Sequence, residues 1–207
     1  REDGDWTPHI YLWNEAQTDA ERIIVGERVQ VQYVDYEGQA RDEEYVVPTV
    51  EQCQSCHERD DANRMLGLVT PQLNFDIEVD GESVNQLEWL ESEGVFSGGL
   101  PDPAGLPAFV DPMEDGELDA RARAYLHANC SHCHREGGGA GVSGLRFTFW
   151  EEDPIHFGIC KPPAAAGNGS GGRNYGIVPG APDESVVVYR MESLDPEEKM
   201  PELPSMV

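Results

Sequence analysis

One pentapeptide pattern occurs twice in this chain and limits what the chain can fold into. The segments Cys53-Gln54-Ser55-Cys56-His57 and Cys130-Ser131-His132-Cys133-His134 both read Cys-x-x-Cys-His, the pattern of covalent c-type haem attachment. Two thiols at this spacing reach the two vinyl groups of one porphyrin, and the histidine that follows becomes the proximal iron ligand. The sequence therefore predicts two haem c groups, held by Cys53, Cys56 and His57 and by Cys130, Cys133 and His134.

Zinc is the main alternative for the same thiols. A Cys-x-x-Cys pair alone also occurs in redox proteins and in zinc sites. Pooling Cys53, Cys56, Cys130 and Cys133 would give a four-thiolate zinc site. That interpretation leaves the histidine after each pair without a role, so two haems are the prediction and zinc is the alternative.

The chain is strongly acidic, which bears on its partners. Its 207 residues include 40 acidic and 14 basic residues, for a net charge of −26. Such a surface repels phosphate backbones, so nucleic acid is excluded as a partner. The same charge can steer a basic redox protein into contact. Solubility in a salty habitat explains it equally well, because salt screens the self-repulsion.

The sequence also predicts where the protein works. No apolar run approaches the roughly 18 residues that a membrane-spanning helix needs, so no transmembrane segment is expected. The chain starts at Arg1, without a methionine or a signal peptide, which indicates processing or trimming. Because covalent haem attachment takes place outside the bacterial inner membrane, the expected location is the periplasm or cell surface.

Three regions are predicted along the chain. Residues 1–48 form a small β-rich N-terminal extension, residues 49–117 a first cytochrome c-like haem module, and residues 118–207 a second one. The expected fold class is mainly α because two cytochrome c-like modules make up most of the chain. The 22 Gly and 15 Pro predict that its helices are short and its loops long.

Local patterns predict a few secondary structure elements. Val29 to Val34 alternates apolar and polar side chains as a strand does, and Glu44 to Val47 can return as its partner after a turn at Gly38. Asp19 to Arg22 suggests no more than a helical turn. Helices are predicted over 83–93, from about Leu118 into the second motif, and over 183–193.

The distal ligand of the second haem is predicted to be a methionine. Electron-transfer haems usually have both axial positions filled, and methionine sulfur raises the reduction potential. Met200 follows the last predicted helix and precedes Pro201, so it is the expected ligand. Met191 lies within the helical pattern and is expected to pack in the core.

The distal ligand of the first haem stays open. Met113 occupies a Pro-rich loop and is the first candidate, Met65 lies close behind His57, and a histidine or an open site are the other options. Several further residues are expected to have no ligand role: His9, His127 and His156 as surface or core histidines, His132 facing solvent, and Cys160 as a buried unreactive thiol or an intermolecular disulfide.

Patterns outside the two motifs extend over nearly the whole chain. They include Tyr11 to Ala20, Gln72-Leu73-Asn74, Arg121 to Leu126 leading into Asn129-Cys130, Cys160-Lys161-Pro162-Pro163, Ile177 to Gly180, Arg190, and Met200 to Leu203. Together they resemble a family of bacterial diheme c-type cytochromes whose genes often accompany a parallel β-helix protein. The resemblance implies two fused class I-like cytochrome modules and an exported electron carrier. In that family the segment after Met200 continues, so an incomplete C-terminus is expected.

Three functions follow from these expectations. The leading one is electron transfer between redox partners through two haems, with no catalytic residue. A diheme peroxidase-like enzyme is an alternative, and it would need an open first haem and a nearby acid–base group. The third is a subunit of a larger multihaem conduit, filament or homo-oligomer, for which the β-rich extension offers a docking edge.

Overall fold

A computed structural model describes residues 6–35, 37–59, 62–63, 66, 68–113, 116–164, 166–195 and 197–202. The chain divides into two compact units. One comprises Arg1–Met65 together with His127–Val207, and the other comprises Leu66–Leu126. Both Cys-x-x-Cys-His motifs belong to the first unit. The three-region division at residues 48 and 117 stays a prediction.

The predicted mainly α fold class is wrong. Among the described residues, helix accounts for 28% and strand for 20%, and the described strands form four two-stranded antiparallel sheets. The fold is therefore mixed α/β. The prediction failed because most of these strands are two to four residues long, which is too short for alternation to stand out in the sequence.

The first hairpin pairs β1 (Ile10–Trp13) with β2 (Ala20–Ile23). The side chain of Asn14 closes the connecting loop, because its Oδ1 accepts a hydrogen bond from the Thr18 amide at 3.0 Å. This local bond is typical of asparagine in turns. The helical turn expected at Asp19 to Arg22 is therefore wrong, since most of that segment is strand.

The second hairpin confirms the strand pairing predicted for residues 29–47. Strands β3 (Glu27–Val34) and β4 (Ala40–Val47) pair along their full length, with Val29 opposite Tyr45. In the turn, the Asp35 carboxylate accepts hydrogen bonds from the backbone amides of residues 37 and 39 at 2.9 and 2.7 Å. The bond from residue 39 is the main reason that the pKa of Asp35 is lowered.

The first motif lies on a short helix directly after this hairpin. Helix α1 spans Val50–His57, and strands β5 (Glu58–Arg59) and β6 (Ala62–Asn63) form a minimal hairpin behind it. Thr49 caps the helix, since its Oγ1 accepts a hydrogen bond from the Gln52 amide at 3.2 Å while the Gln52 side chain bonds back to the Thr49 amide at 2.8 Å. This reciprocal pair defines where the helix begins.

The second unit is organised around a buried asparagine. Its elements are α2 (Thr70–Leu73), β7 (Asp76–Val79), β8 (Glu82–Asn85) and α3 (Gln86–Ser92). The Asn74 side chain donates to the carbonyls of Pro103 and Leu106 at 3.0 and 3.1 Å and accepts from Asn85 Nδ2 at 2.9 Å. Asn85 also caps α3, so the helix predicted over 83–93 begins three residues later than expected.

Helix α4 (Leu118–Cys130) confirms the helix predicted to lead into the second motif. Ala124 and Leu126 are its buried apolar side chains, and Arg123 pairs with Asp119 one turn earlier at 2.9 Å. None of the helices in the described ranges is long and apolar enough to cross a bilayer.

The last helix, α5 (Val186–Glu192), is shorter than the predicted 183–193. A 3₁₀ turn over Pro182–Glu184 precedes it. Ser185 joins the two and is 1% exposed. Its hydroxyl is satisfied inside the protein, since it donates to the Ala181 carbonyl at 3.1 Å and accepts from the Val178 amide at 2.9 Å. Phe147, Phe157 and Val186 are buried apolar residues of the same unit.

Candidate functional site

The first motif lies within α1, whereas the second begins at the end of α4 and continues in the turn after it. In α1, Cys53, Cys56 and His57 are at positions i, i+3 and i+4, which lie on one face. The second motif starts at the last residue of α4, and the His134 amide donates to the Cys130 carbonyl at 2.8 Å. One helical hydrogen bond therefore extends from α4 into the turn that carries the rest of the second motif, and both motifs offer two thiols and one imidazole.

The two motifs lie next to each other. The Cys56 and Cys133 sulfurs are 3.5 Å apart, well beyond the roughly 2.05 Å of a disulfide bond. The hydrogen bond from Cys133, followed by that from His132, lowers the pKa of Cys56 to about 4. The same bond is the main cause that raises the pKa of Cys133. The contact therefore makes Cys56 the more acidic thiol of the pair.

His132 takes part in this cluster, which corrects the expectation that it faces solvent. One ligand atom each from Cys56, His132 and Cys133 lies within 4.8 Å of the others, and within the described ranges this is the one group of its kind. It differs from the four-thiolate set considered as a zinc site, since His132 takes the place of Cys53 and Cys130. No pattern in the sequence indicates that His132 is partly buried.

All five cysteines are free thiols. Burial raises the pKa of Cys130 to about 11. Cys160 is exposed and its backbone is in the left-handed region at φ 53°, where its amide donates to the Ile177 carbonyl at 2.9 Å. The expectation that Cys160 is buried is therefore wrong.

His134 is held tightly in the first unit. Its Nδ1 lies 3.2 Å from Ser143 Oγ, and its ring packs against Phe147 with centroids 5.2 Å apart. Burial is the main cause that lowers the pKa of His134 to about 4, and the charge of Arg190 adds to it. The imidazole is therefore neutral at physiological pH, the state in which histidine binds a metal.

A glycine run after the second motif has a steric role. The backbone turns back sharply, and the Ala140 amide donates to the Cys133 carbonyl at 3.1 Å. A Cβ atom at Gly138 would overlap that same carbonyl oxygen. Glycine is required there because the loop passes so close to the motif, and this return places Ser143 beside His134.

The loop that carries Met200 is tied to α5. The Met200 amide donates to the Arg190 carbonyl at 2.7 Å, and Arg190 Nε donates to the Glu198 carbonyl at 2.6 Å. The charge of Arg190 helps to lower the pKa of His134, and the charge of Glu202 contributes to the raised pKa of Cys133. Arg190, which holds the Met200 amide, and Glu202, two residues after Met200, are therefore in electrostatic range of the second motif.

The other methionine candidates are placed differently. Met113 belongs to the unit Leu66–Leu126 and is 71% exposed, and its assignment to the first haem stays a prediction. Met65 lies outside the described residues. Met191 is 41% exposed, so the expectation that it packs in the core is wrong.

The spare histidines behave largely as expected. His9 is exposed, and His156 lies within 3.8 Å of the carboxylates of Glu151 and Asp153. His127 is a core histidine, 8% exposed. Its Nδ1 accepts a hydrogen bond from the Phe149 amide at 3.0 Å, and burial lowers its pKa.

Comparison with known proteins gives no relative: no family model, no curated protein and no solved structure matches this chain.

Proposed function

We propose that this chain is a diheme c-type cytochrome that carries electrons between redox proteins, as the sequence resemblance implies. The observation that carries the proposal is the repeated Cys-x-x-Cys-His pattern, which offers two free thiols and one imidazole at both places and sets them on a single helical face in α1. A zinc or redox pair needs no histidine at that position, whereas covalent haem attachment does.

The residues fit covalently bound haem. Each motif offers two unpaired sulfurs at the required spacing, and at the second motif burial keeps His134 neutral. When bound, haem supplies a one-electron couple between ferrous and ferric iron. Four cysteines would anchor the two groups, His57 and His134 would be the proximal ligands, and Met200 and Met113 the proposed distal ligands.

The closeness of the two motifs favours a carrier with two cooperating centres. Cys56 belongs to one motif and Cys133 to the other, and their sulfurs are 3.5 Å apart. Two prosthetic groups anchored at these sulfurs would be near neighbours, which suits electron transfer from one centre to the next. Two unrelated binding sites would have no reason to share this contact.

The surface charge supports protein partners of opposite sign. The net charge of −26 speeds encounter with a basic partner at low salt and is screened as salt rises. An exported location, in the periplasm or at the cell surface, is part of the proposal because covalent haem attachment takes place there.

A metal-binding function is the second candidate, favoured by the cluster of Cys56, His132 and Cys133. Two sulfurs and one imidazole resemble the three-ligand sets that hold zinc with one position open. This function and haem attachment exclude each other, because both use the sulfurs of Cys56 and Cys133.

A redox titration of the purified full chain separates the candidates. Electron transfer predicts two one-electron steps and no turnover of hydrogen peroxide. A high-spin haem that consumes peroxide would point to the peroxidase-like alternative, and long polymers on size exclusion would point to the conduit. Bound zinc without any redox step would overturn the proposal.

A further inference from the structure

We propose that Ser143 is a positioning residue for His134: it selects the tautomer in which Nε2 is free to bind a metal, and it tunes the electron density on that nitrogen. The tautomer follows from the hydrogen bonds alone. The effect on an iron ligand rests on the proposed function, and the experiment below tests the two parts separately.

The hydrogen bonds of Ser143 fix the direction of its contact with His134. A serine hydroxyl has one proton, and Ser143 Oγ donates it to the Ala140 carbonyl at 2.7 Å. The same oxygen accepts from the Leu145 amide at 3.1 Å. It can therefore meet His134 Nδ1, 3.2 Å away, only as an acceptor. His134 must carry its proton on Nδ1, which leaves a lone pair on Nε2.

His127 shows the opposite arrangement in the same unit. Its Nδ1 accepts from the Phe149 amide at 3.0 Å, so the proton of the neutral ring is on Nε2. A ring in this state has no lone pair on Nε2 to offer. The local hydrogen bonds therefore leave the half-buried His134 suited to metal binding and the buried His127 suited to packing.

Ser143 itself is held in place from several sides. Its amide donates to the Ala140 carbonyl at 3.0 Å, and its own carbonyl accepts from Lys161 Nζ at 2.7 Å. The His134 carbonyl accepts from the Phe147 amide at 2.9 Å, which fixes the other partner. The Ser143 hydroxyl is therefore a rigid acceptor.

Such an acceptor changes what the ring does at iron. An acceptor on Nδ1–H raises the basicity of the ligating nitrogen, and a more basic ligand favours ferric over ferrous iron. Because the acceptor is a neutral hydroxyl and not a carboxylate, the effect is moderate. Loss of the hydroxyl should shift the ferric-to-ferrous equilibrium of one haem toward the ferrous form by up to about tenfold. For one electron this corresponds to a rise of about 59 mV in its reduction potential.

The test compares Ser143→Ala, Ser143→Thr and a matched control, Ser185→Ala, in the full chain. Ser185 is a buried serine of the same unit that lies outside both motifs, and its hydroxyl donates to the Ala181 carbonyl at 3.1 Å. We expect Ser143→Ala to raise one of two reduction potentials, while Ser143→Thr and Ser185→Ala leave both unchanged. If both potentials of Ser143→Ala equal those of the parent, the tuning role is wrong.

Nitrogen-15 NMR of the histidine rings in the reduced parent protein tests the tautomer, whether or not haem is bound. We expect a protonated Nδ1 in His134 and a protonated Nε2 in His127. An unprotonated His134 Nδ1 would overturn the assignment of Ser143. Protein that lacks haem but has the expected His134 tautomer would overturn the proposed function while supporting the role of Ser143.

Discussion

The two Cys-x-x-Cys-His motifs share one sequence pattern but differ in their surroundings. The first occupies an eight-residue helix between two hairpins. The second begins at the last residue of a 13-residue helix, and its histidine packs on Phe147 and contacts Ser143. The comparison teaches that the shared pattern sets which atoms are offered, whereas side chains from outside the motif, such as Ser143 and Phe147 at His134, set their surroundings.

The largest expected difference between the motifs concerns the distal ligands proposed for them. The backbone amide of Met200 donates a hydrogen bond to the Arg190 carbonyl, which holds Met200 in place, whereas Met113 is 71% exposed. We expect Met200→Ala to remove a sulfur–iron charge-transfer band and to lower one reduction potential by on the order of 0.1 V, a fraction of the roughly 0.8 V that axial ligands span. Visible spectroscopy and potentiometry provide the measurement.

Met113→Ala sharpens the same comparison. If Met113 binds the first iron, this variant loses the other sulfur band and keeps the one that depends on Met200. The exposed Met191 is the control, and Met191→Ala should leave both bands intact. A Met200→Ala spectrum identical to that of the parent would contradict the assignment of Met200.

A smaller effect is expected at His127, which supports the second motif without a ligand role. In His127→Ala the part-buried Phe149 amide loses its bond to Nδ1 and the ring contact with Trp150 disappears, so we expect the free energy of unfolding to fall by about 1 kcal/mol, the usual net contribution of one hydrogen bond. Denaturant unfolding measures this cost. His9→Ala, at an exposed histidine, serves as the control, and equal stability of the two variants would show that His127 is not structural.

The same histidine predicts a pH dependence. Burial lowers the pKa of His127 in the folded state, so the unfolded chain binds the proton more readily. The contribution of neutral His127 is fully present above the unfolded pKa of about 6.5 and is lost as pH falls below it. In His127→Asn, which does not titrate, the free energy of unfolding should fall less steeply between pH 7 and pH 5, roughly the range of histidine titration. An unchanged slope would contradict this.

The smallest expected effect lies on the helix that leads into the second motif. Asp119 and Arg123 form an i, i+4 ion pair at 2.9 Å, with the carboxylate 81% exposed. Such pairs contribute about 0.3–0.5 kcal/mol, so Asp119→Asn should lower the free energy of unfolding by no more than that. High salt should abolish the difference between variant and parent. A larger loss that persists in salt would indicate another role for Asp119.

The sequence predicts local features of this protein better than its fold class. The β3–β4 hairpin and helix α4 follow from alternation and helical spacing that extend over many residues. The hairpins β1–β2 and β7–β8 have four-residue strands, which carry too little pattern to separate them from turns, and the predicted mainly α class failed for that reason. The helix predicted over 83–93 includes Asn85, although the side chain of Asn85 caps the observed helix.

The candidate site also contains parts that the sequence predicts and parts that it does not. The thiols and imidazoles of both motifs are readable from spacing alone, because their chemistry requires that spacing. The roles of Ser143 and His132 depend on contacts that a glycine-rich return and the meeting of two distant motifs create. Single-sequence patterns hold no information on such contacts, so these residues could not be predicted.

The central claim is that both motifs anchor haem, and intact-protein mass spectrometry with a haem stain under denaturing conditions tests it most directly. The parent chain should carry two covalently bound haems. Cys53→Ser with Cys56→Ser, and separately Cys130→Ser with Cys133→Ser, should each carry one. A parent chain whose mass equals that of the bare polypeptide, or that holds zinc in place of iron, would contradict the account.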